Sequence, residues 1–135
     1  MKPNRLLQWL AIAAVAFGLL TVISGGRALF GGAAARVELG NIVPFVLWFN
    51  FIAGFVYVAA GAALLTAQRG AAQLALLLAV TTALVFLAFM AHVVSGGAYE
   101  MRTVGALSIR SLFWIVVAAF ALRTAKTLSA RNQPS

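Results

Sequence analysis

Residues 73–95 read QLALLLAVTTALVFLAFMAHVVS, and no charged side chain lies anywhere between Arg69 and Glu100. A helix that crosses the roughly 30 Å hydrocarbon core of a bilayer needs about 20 residues, and this stretch supplies them. Lipid offers no partner to a bare backbone N–H or C=O, so such a span must satisfy its own backbone as a helix. The strands of a membrane barrel alternate polar and apolar residues in segments of roughly ten, and nothing here alternates. Working outward, the same reading repeats. No charge falls between Arg5 and Arg27 or between Glu38 and Arg69, and a single one, Arg110, interrupts the run from Arg102 to Arg123. The spacing predicts spans at Leu6–Ser24, Asn41–Thr66, Gln73–Ser95 and Thr103–Leu122, followed by a polar, frayed tail over 123–135. The expected fold is all-α: one transmembrane domain covering 1–135, an integral membrane antiparallel four-helix bundle with left-handed packing.

Composition agrees with that reading. Of the 135 residues, 64% are hydrophobic and 9% charged, where ordinary globular chains carry roughly 25% charged residues. The absence of cysteine excludes disulfides, thiolate metal sites and thiol redox chemistry. A net charge of +8 raises the question of nucleic acid. The basic residues, however, sit at span ends, where they set orientation and meet anionic lipid. A nucleic-acid surface gathers them on one soluble face instead. The expected partner is therefore the lipid bilayer, with no nucleic acid.

Loop charges give a direction. Lys2, Arg5, Arg69, Arg123, Lys126 and Arg131 fall on one side, and Arg27, Arg36 and Arg102 on the other, together with both acids, Glu38 and Glu100. The richer side is expected in the cytoplasm, which puts both termini inside. Compactness and loop charge point to a bacterial inner membrane. The first span also has the basic start of a signal peptide. Its apolar run is long for that role and no sharp A-x-A site follows directly, so the expectation is that it is retained.

The connections are short, apart from the glycine-rich segment 25–40, which has room for a short interfacial helix around Ala28–Val37. Residues 67–72 read as a tight turn. The words Thr21-Val22-Ile23-Ser24-Gly25-Gly26 and His92-Val93-Val94-Ser95-Gly96-Gly97 echo each other. A parallel duplication accounts for the echo, and so does a recurring helix stop in which glycine takes the left-handed position.

Polar groups inside a span are costly and therefore informative. Arg110 lies about two turns into the fourth span, roughly 11 Å from its outer end at the helical rise. It either snorkels or faces the bundle and pairs with Glu100, Glu38 or an anionic ligand. His92 lies about one turn from the outer end of the third span, and Asn50 lies at a depth similar to Arg110. Asn50, Gly54, Tyr57 and Gly61 share a helical face. That face either lets another helix approach closely or lines a polar cavity. Thr81, Val85, Ala88 and His92 share a face of the third span, and Thr103, Ala106, Arg110, Phe113 and Val117 share one of the fourth. The candidate polar cluster, for ligand binding or for structure, is thus Asn50, Tyr57, His92, Glu100, Arg102 and Arg110. Asn50, His92 and Arg110 are expected to converge in the outer half, above an inner half that offers little more than Thr66, Thr81 and Thr82.

Nothing in the sequence identifies a cofactor, and no metal-ligand spacing or catalytic set is recognisable. Acid–base chemistry by His92 with Glu100 on a lipid or quinone headgroup is a distant reading. The expected function is that of an accessory or interaction subunit for a larger membrane protein, with the cluster as helix glue. The alternative is a homo-oligomeric transporter or channel for a small anionic solute, with Arg36, Arg102 and Arg110 as an electropositive mouth.

Overall fold

The computed structural model describes residues 5–66 and 70–131. These form five helices: α1 (Arg5–Phe30), α2 (Gly32–Leu39), α3 (Pro44–Leu65), α4 (Ala71–Val94) and α5 (Met101–Arg131). Four of them, α1, α3, α4 and α5, are long and apolar enough to cross a membrane. The short helix α2 stands close to the expected interfacial element, shifted a few residues toward the C-terminus. The expected turn at 67–72 lies partly outside the described residues, as do Lys2 and Arg69. The end that carries α2 and the loops 40–43 and 95–100 is called the outer end below.

Helix α1 packs most intimately along α3, and α4 along α5; α3 meets α4 less closely, and α1 touches α5 sparsely. Small residues produce the first pairing. Leu7, Ala11, Ala14, Gly18, Thr21, Gly25 and Ala28 are the buried positions of α1. They are spaced alternately four and three residues apart, which makes a single stripe. A methyl group on Gly61 would stand 2.7 Å from the Ala11 carbonyl oxygen, and one on Gly18 2.7 Å from that of Gly54. The two backbones therefore approach so closely that only hydrogen fits between them. Of the two readings of the Asn50–Gly61 face, close helix approach holds at Gly54 and Gly61.

Two boundaries depart from the sequence expectation for physical reasons. The glycine pair at 25–26 does not stop α1, which runs on to Phe30. Gly25 is buried against Phe51, and packing there outweighs the roughly 1 kcal/mol that glycine costs inside a helix. The matching word at 95–97 does end α4. Gly96 takes φ +88°, its N–H donates to the Val93 carbonyl, and Gly97 N–H donates to that of His92, which is a Schellman closure. One sequence word thus has two conformations, chosen by what surrounds it. Helix α3 begins at Pro44 rather than Asn41, since proline suits a first turn, where its missing N–H is not needed. Helix α5 does not fray at Arg123 but continues to Arg131.

The core has two parts. A large inner one joins Leu7, Ala11 and Ala14 to Tyr57, Leu64, Leu78, Trp114 and Val117. A smaller outer one holds Val43, Val46, Phe89 and Leu107. On α4 the buried stripe runs through Ala75, Leu78, Ala79, Thr82 and Phe89. This corrects the expected face of Thr81, Val85, Ala88 and His92, which is turned by about one residue.

Candidate functional site

Beside the outer core, a cleft of about 230 Å³ opens between α1, α3 and α5. Thr21, Ser24, Gly25 and Ala28 line it from α1. Val46, Leu47 and Asn50 line it from α3, and Thr103, Ala106 and Arg110 from α5. Leu39, Asn41, Ile42, Val43, Glu100 and Arg102 contribute from the loops and helix ends above. The side of α5 facing it, Thr103, Ala106 and Arg110, lies next to the stripe of Leu107, Trp114, Ala118 and Ala121 that enters the core.

Arg110 forms the floor. Its guanidinium carbon lies 5.4 Å from the centroid of the Phe17 ring, a cation–π distance. One terminal nitrogen, Nη2, donates to Thr21 Oγ1 at 3.4 Å, and that hydroxyl itself donates to the Phe17 carbonyl at 2.7 Å. The other two nitrogens, Nε and Nη1, are buried and have no partner. The expected pairing with an acid does not occur. Glu38 pairs with Arg27 at 2.5 Å on the surface, and no carboxylate among the described residues reaches Arg110 within salt-bridge distance. A guanidinium carries five N–H donors and is always charged, so most of its bonding capacity is unspent. Snorkelling is also excluded as a description, because the head lies against Phe17 and Thr21 inside the helix packing.

The upper rim is a latch between loops distant in sequence. The Glu100 carboxylate accepts the Asn41 N–H at 2.9 Å. Arg102 Nη2 donates to the carbonyls of Leu39 at 3.2 Å and Glu38 at 3.4 Å. Gly40 has φ +75°, and a methyl group there would collide with the Glu100 carboxylate. Both reasons restrict the position to glycine.

The sequence-derived cluster therefore divides. Asn50, Glu100, Arg102 and Arg110 line one cleft, and the Asn50 Oδ1 atom is buried without a partner. Tyr57 lies below it, fully buried, with its ring 4.9 Å from that of Trp114 and 5.9 Å from that of Phe17. The hydroxyl of Tyr57 is buried and makes no hydrogen bond.

His92 does not join them. Its Nε2–H donates to the Ala98 carbonyl at 2.9 Å, and its ring stacks on Phe89 at 6.5 Å. A side chain on Gly97 would strike that ring. His92 thus closes the end of α4. The expected convergence of Asn50, His92 and Arg110 is corrected to Asn50 and Arg110, because the buried stripe of α4 passes through Phe89 and leaves position 92 beside the loop. Arg36 is also absent from the cleft and stands beside Leu29 and Phe30.

Sequence reasoning missed Phe17 and Thr21, which hold the guanidinium. The available signal was Thr21, a hydroxyl inside the first span in step with the small residues at 14, 18, 25 and 28. No protein-family model, curated protein or solved structure matches the chain.

Proposed function

We propose that this chain is a small integral membrane protein, an antiparallel bundle of four spans, that binds an anionic group in its outer cleft and works as a binding or accessory subunit rather than as a conduit. The observation that carries the reading is Arg110, which lines the cleft and has two guanidinium nitrogens, Nε and Nη1, that are buried without a hydrogen bond. A charge held this way in a low-dielectric setting costs free energy until an opposite charge meets it. Arg102 adds a second positive charge at the rim, against the single negative charge of Glu100.

The inner half argues against a pathway through one chain. Below Arg110 the space is filled by Tyr57, Trp114, Val117 and Leu64, all buried in one apolar cluster. The polar atoms there, Tyr57 Oη, Thr82 Oγ1 and Trp114 Nε1, are themselves buried in the packing, so a solute has no open continuation inward. On this reading both termini lie on the cytoplasmic face of a bacterial inner membrane, and the cleft opens toward the opposite side.

The test is anion flux. Proteoliposomes holding the purified chain are expected to leak chloride and phosphate no faster than empty vesicles. Flux well above that background and lost in Arg110→Met would establish the transporter or channel reading instead, with a path formed between subunits.

A further inference from the structure

The cleft is not polar throughout, and the arrangement of its walls narrows what can occupy it. Its oxyanion-binding equipment lies at the floor, in the guanidinium of Arg110. Much of the wall above that floor is apolar: Leu39, Ile42, Val43, Val46 and Leu47. A small inorganic anion would leave this wall without a partner.

The route into the cleft points the same way. From the aqueous side the rim is crossed by the latch of Glu100 with Asn41 and Arg102 with Leu39. Sideways, the cleft lies between α1 and α5, which meet only sparsely. Their contact is made low down, where Phe17 stacks on Phe113 at 5.7 Å and Arg110 reaches Thr21. Between that contact and the Arg102 rim, the cleft is lined by small side chains, Ser24, Gly25 and Ala28 from α1 and Thr103 and Ala106 from α5. Small residues on both walls leave room between the helices for a slender chain to pass. At about 230 Å³ the cleft falls below the usual 300–1,000 Å³ of sites that enclose a whole drug-sized ligand. It holds a headgroup and the first part of a chain, not an entire lipid.

We infer that the occupant is a membrane amphiphile with one oxyanion head, a phosphate or a carboxylate. The head enters sideways between α1 and α5 and seats on Arg110, while its tail passes out between Ser24 and Ala106. This inference rests on the anion-binding reading above and names the class of anion.

The test uses the full chain in dodecyl maltoside and reads the melting midpoint, because a ligand that binds only the folded state raises it. The probes are dodecyl phosphate and, separately, inorganic phosphate. Dodecyl phosphate is expected to raise the midpoint by about 5 °C at saturating levels, and inorganic phosphate to leave it unchanged. Arg110→Met abolishes the rise. Ala106→Leu, which fills the gap and removes no charge, reduces it strongly, and this second variant carries the test if the first does not fold. An equal rise with inorganic phosphate overturns the amphiphile while keeping the anion site. No rise with either probe overturns both. A rise that persists in both variants places binding elsewhere and overturns the inference.

Discussion

Arg110 shows how one side chain can be tolerated in apolar packing without being satisfied there. Its aliphatic stem is buried among neighbouring helices, one face of its head lies near the Phe17 ring, and one nitrogen reaches Thr21. A cation–π contact is worth on the order of 1–2 kcal/mol when desolvated. A neutral acceptor at 3.4 Å adds little, because hydrogen bonds weaken with length. Neither replaces the hydration that an unpaired charge gives up on burial. Methionine has a similar reach and no charge to desolvate. Arg110→Met is therefore expected to melt at the same temperature as the parent or about 1 kcal/mol more stably when no anionic amphiphile is present. Thermal unfolding in an uncharged detergent checks this, and a large loss of stability in the variant would mean that the guanidinium is already satisfied by the protein.

At the scale of helices, the pairing of α1 with α3 depends on glycine at two levels, Gly18 with Gly54 and, nearer the inner end, Gly61 against Ala11 and Val15. Gly61→Leu forces the backbones apart, and its expected cost is about 1–3 kcal/mol, read as a lower melting midpoint. Gly105 is the control, because a methyl group there meets nothing within 4 Å and it lies within α5. Gly105→Ala is expected to stabilise by about 0.5–1 kcal/mol. Should both changes act alike, glycine packing would not be what holds α1 to α3. These helices were legible in the sequence because charge-free runs of this length have few other solutions. Their ends were less so. Ser-Gly-Gly at 24–26 and at 95–97 carries the same local signal, and only the presence of Phe51 over Gly25 decides that the first continues. The site was half legible for a related reason. The depth of a residue along a helix follows from counting, which brought Asn50 and Arg110 to one level. The rotation of each helix follows from tertiary packing, and on α4 it carried His92 away from them. Phe17 and Thr21 escaped notice because an aromatic ring and a hydroxyl in an apolar span have many uses, and only the arriving guanidinium distinguishes this one.

At the scale of the molecule, the long helices bear on how the chain sits in a bilayer. Helix α5 has 31 residues, about 46 Å at the helical rise, and so exceeds the roughly 30 Å core. Its basic end, Arg123 to Arg131, extends beyond the apolar run, and on the proposed membrane reading it is expected to meet the charged headgroups. The lack of cysteine makes single-cysteine labelling clean. Ser95→Cys, at the exposed outer end of α4, is expected to react with a membrane-impermeant maleimide on intact cells. Thr127→Cys, near the far end of α5, is expected to react only after permeabilisation. Equal labelling of both from outside would contradict a membrane-crossing arrangement of α4 and α5.

Native mass spectrometry from nanodiscs that mix neutral and anionic lipids reaches the central claim most directly, since it weighs the chain together with what it retains. The account predicts one anionic lipid held per chain in the parent and none in Arg110→Met, with neutral lipid stripped from both. A parent chain that emerges bare, or a variant that keeps the same adduct, contradicts it.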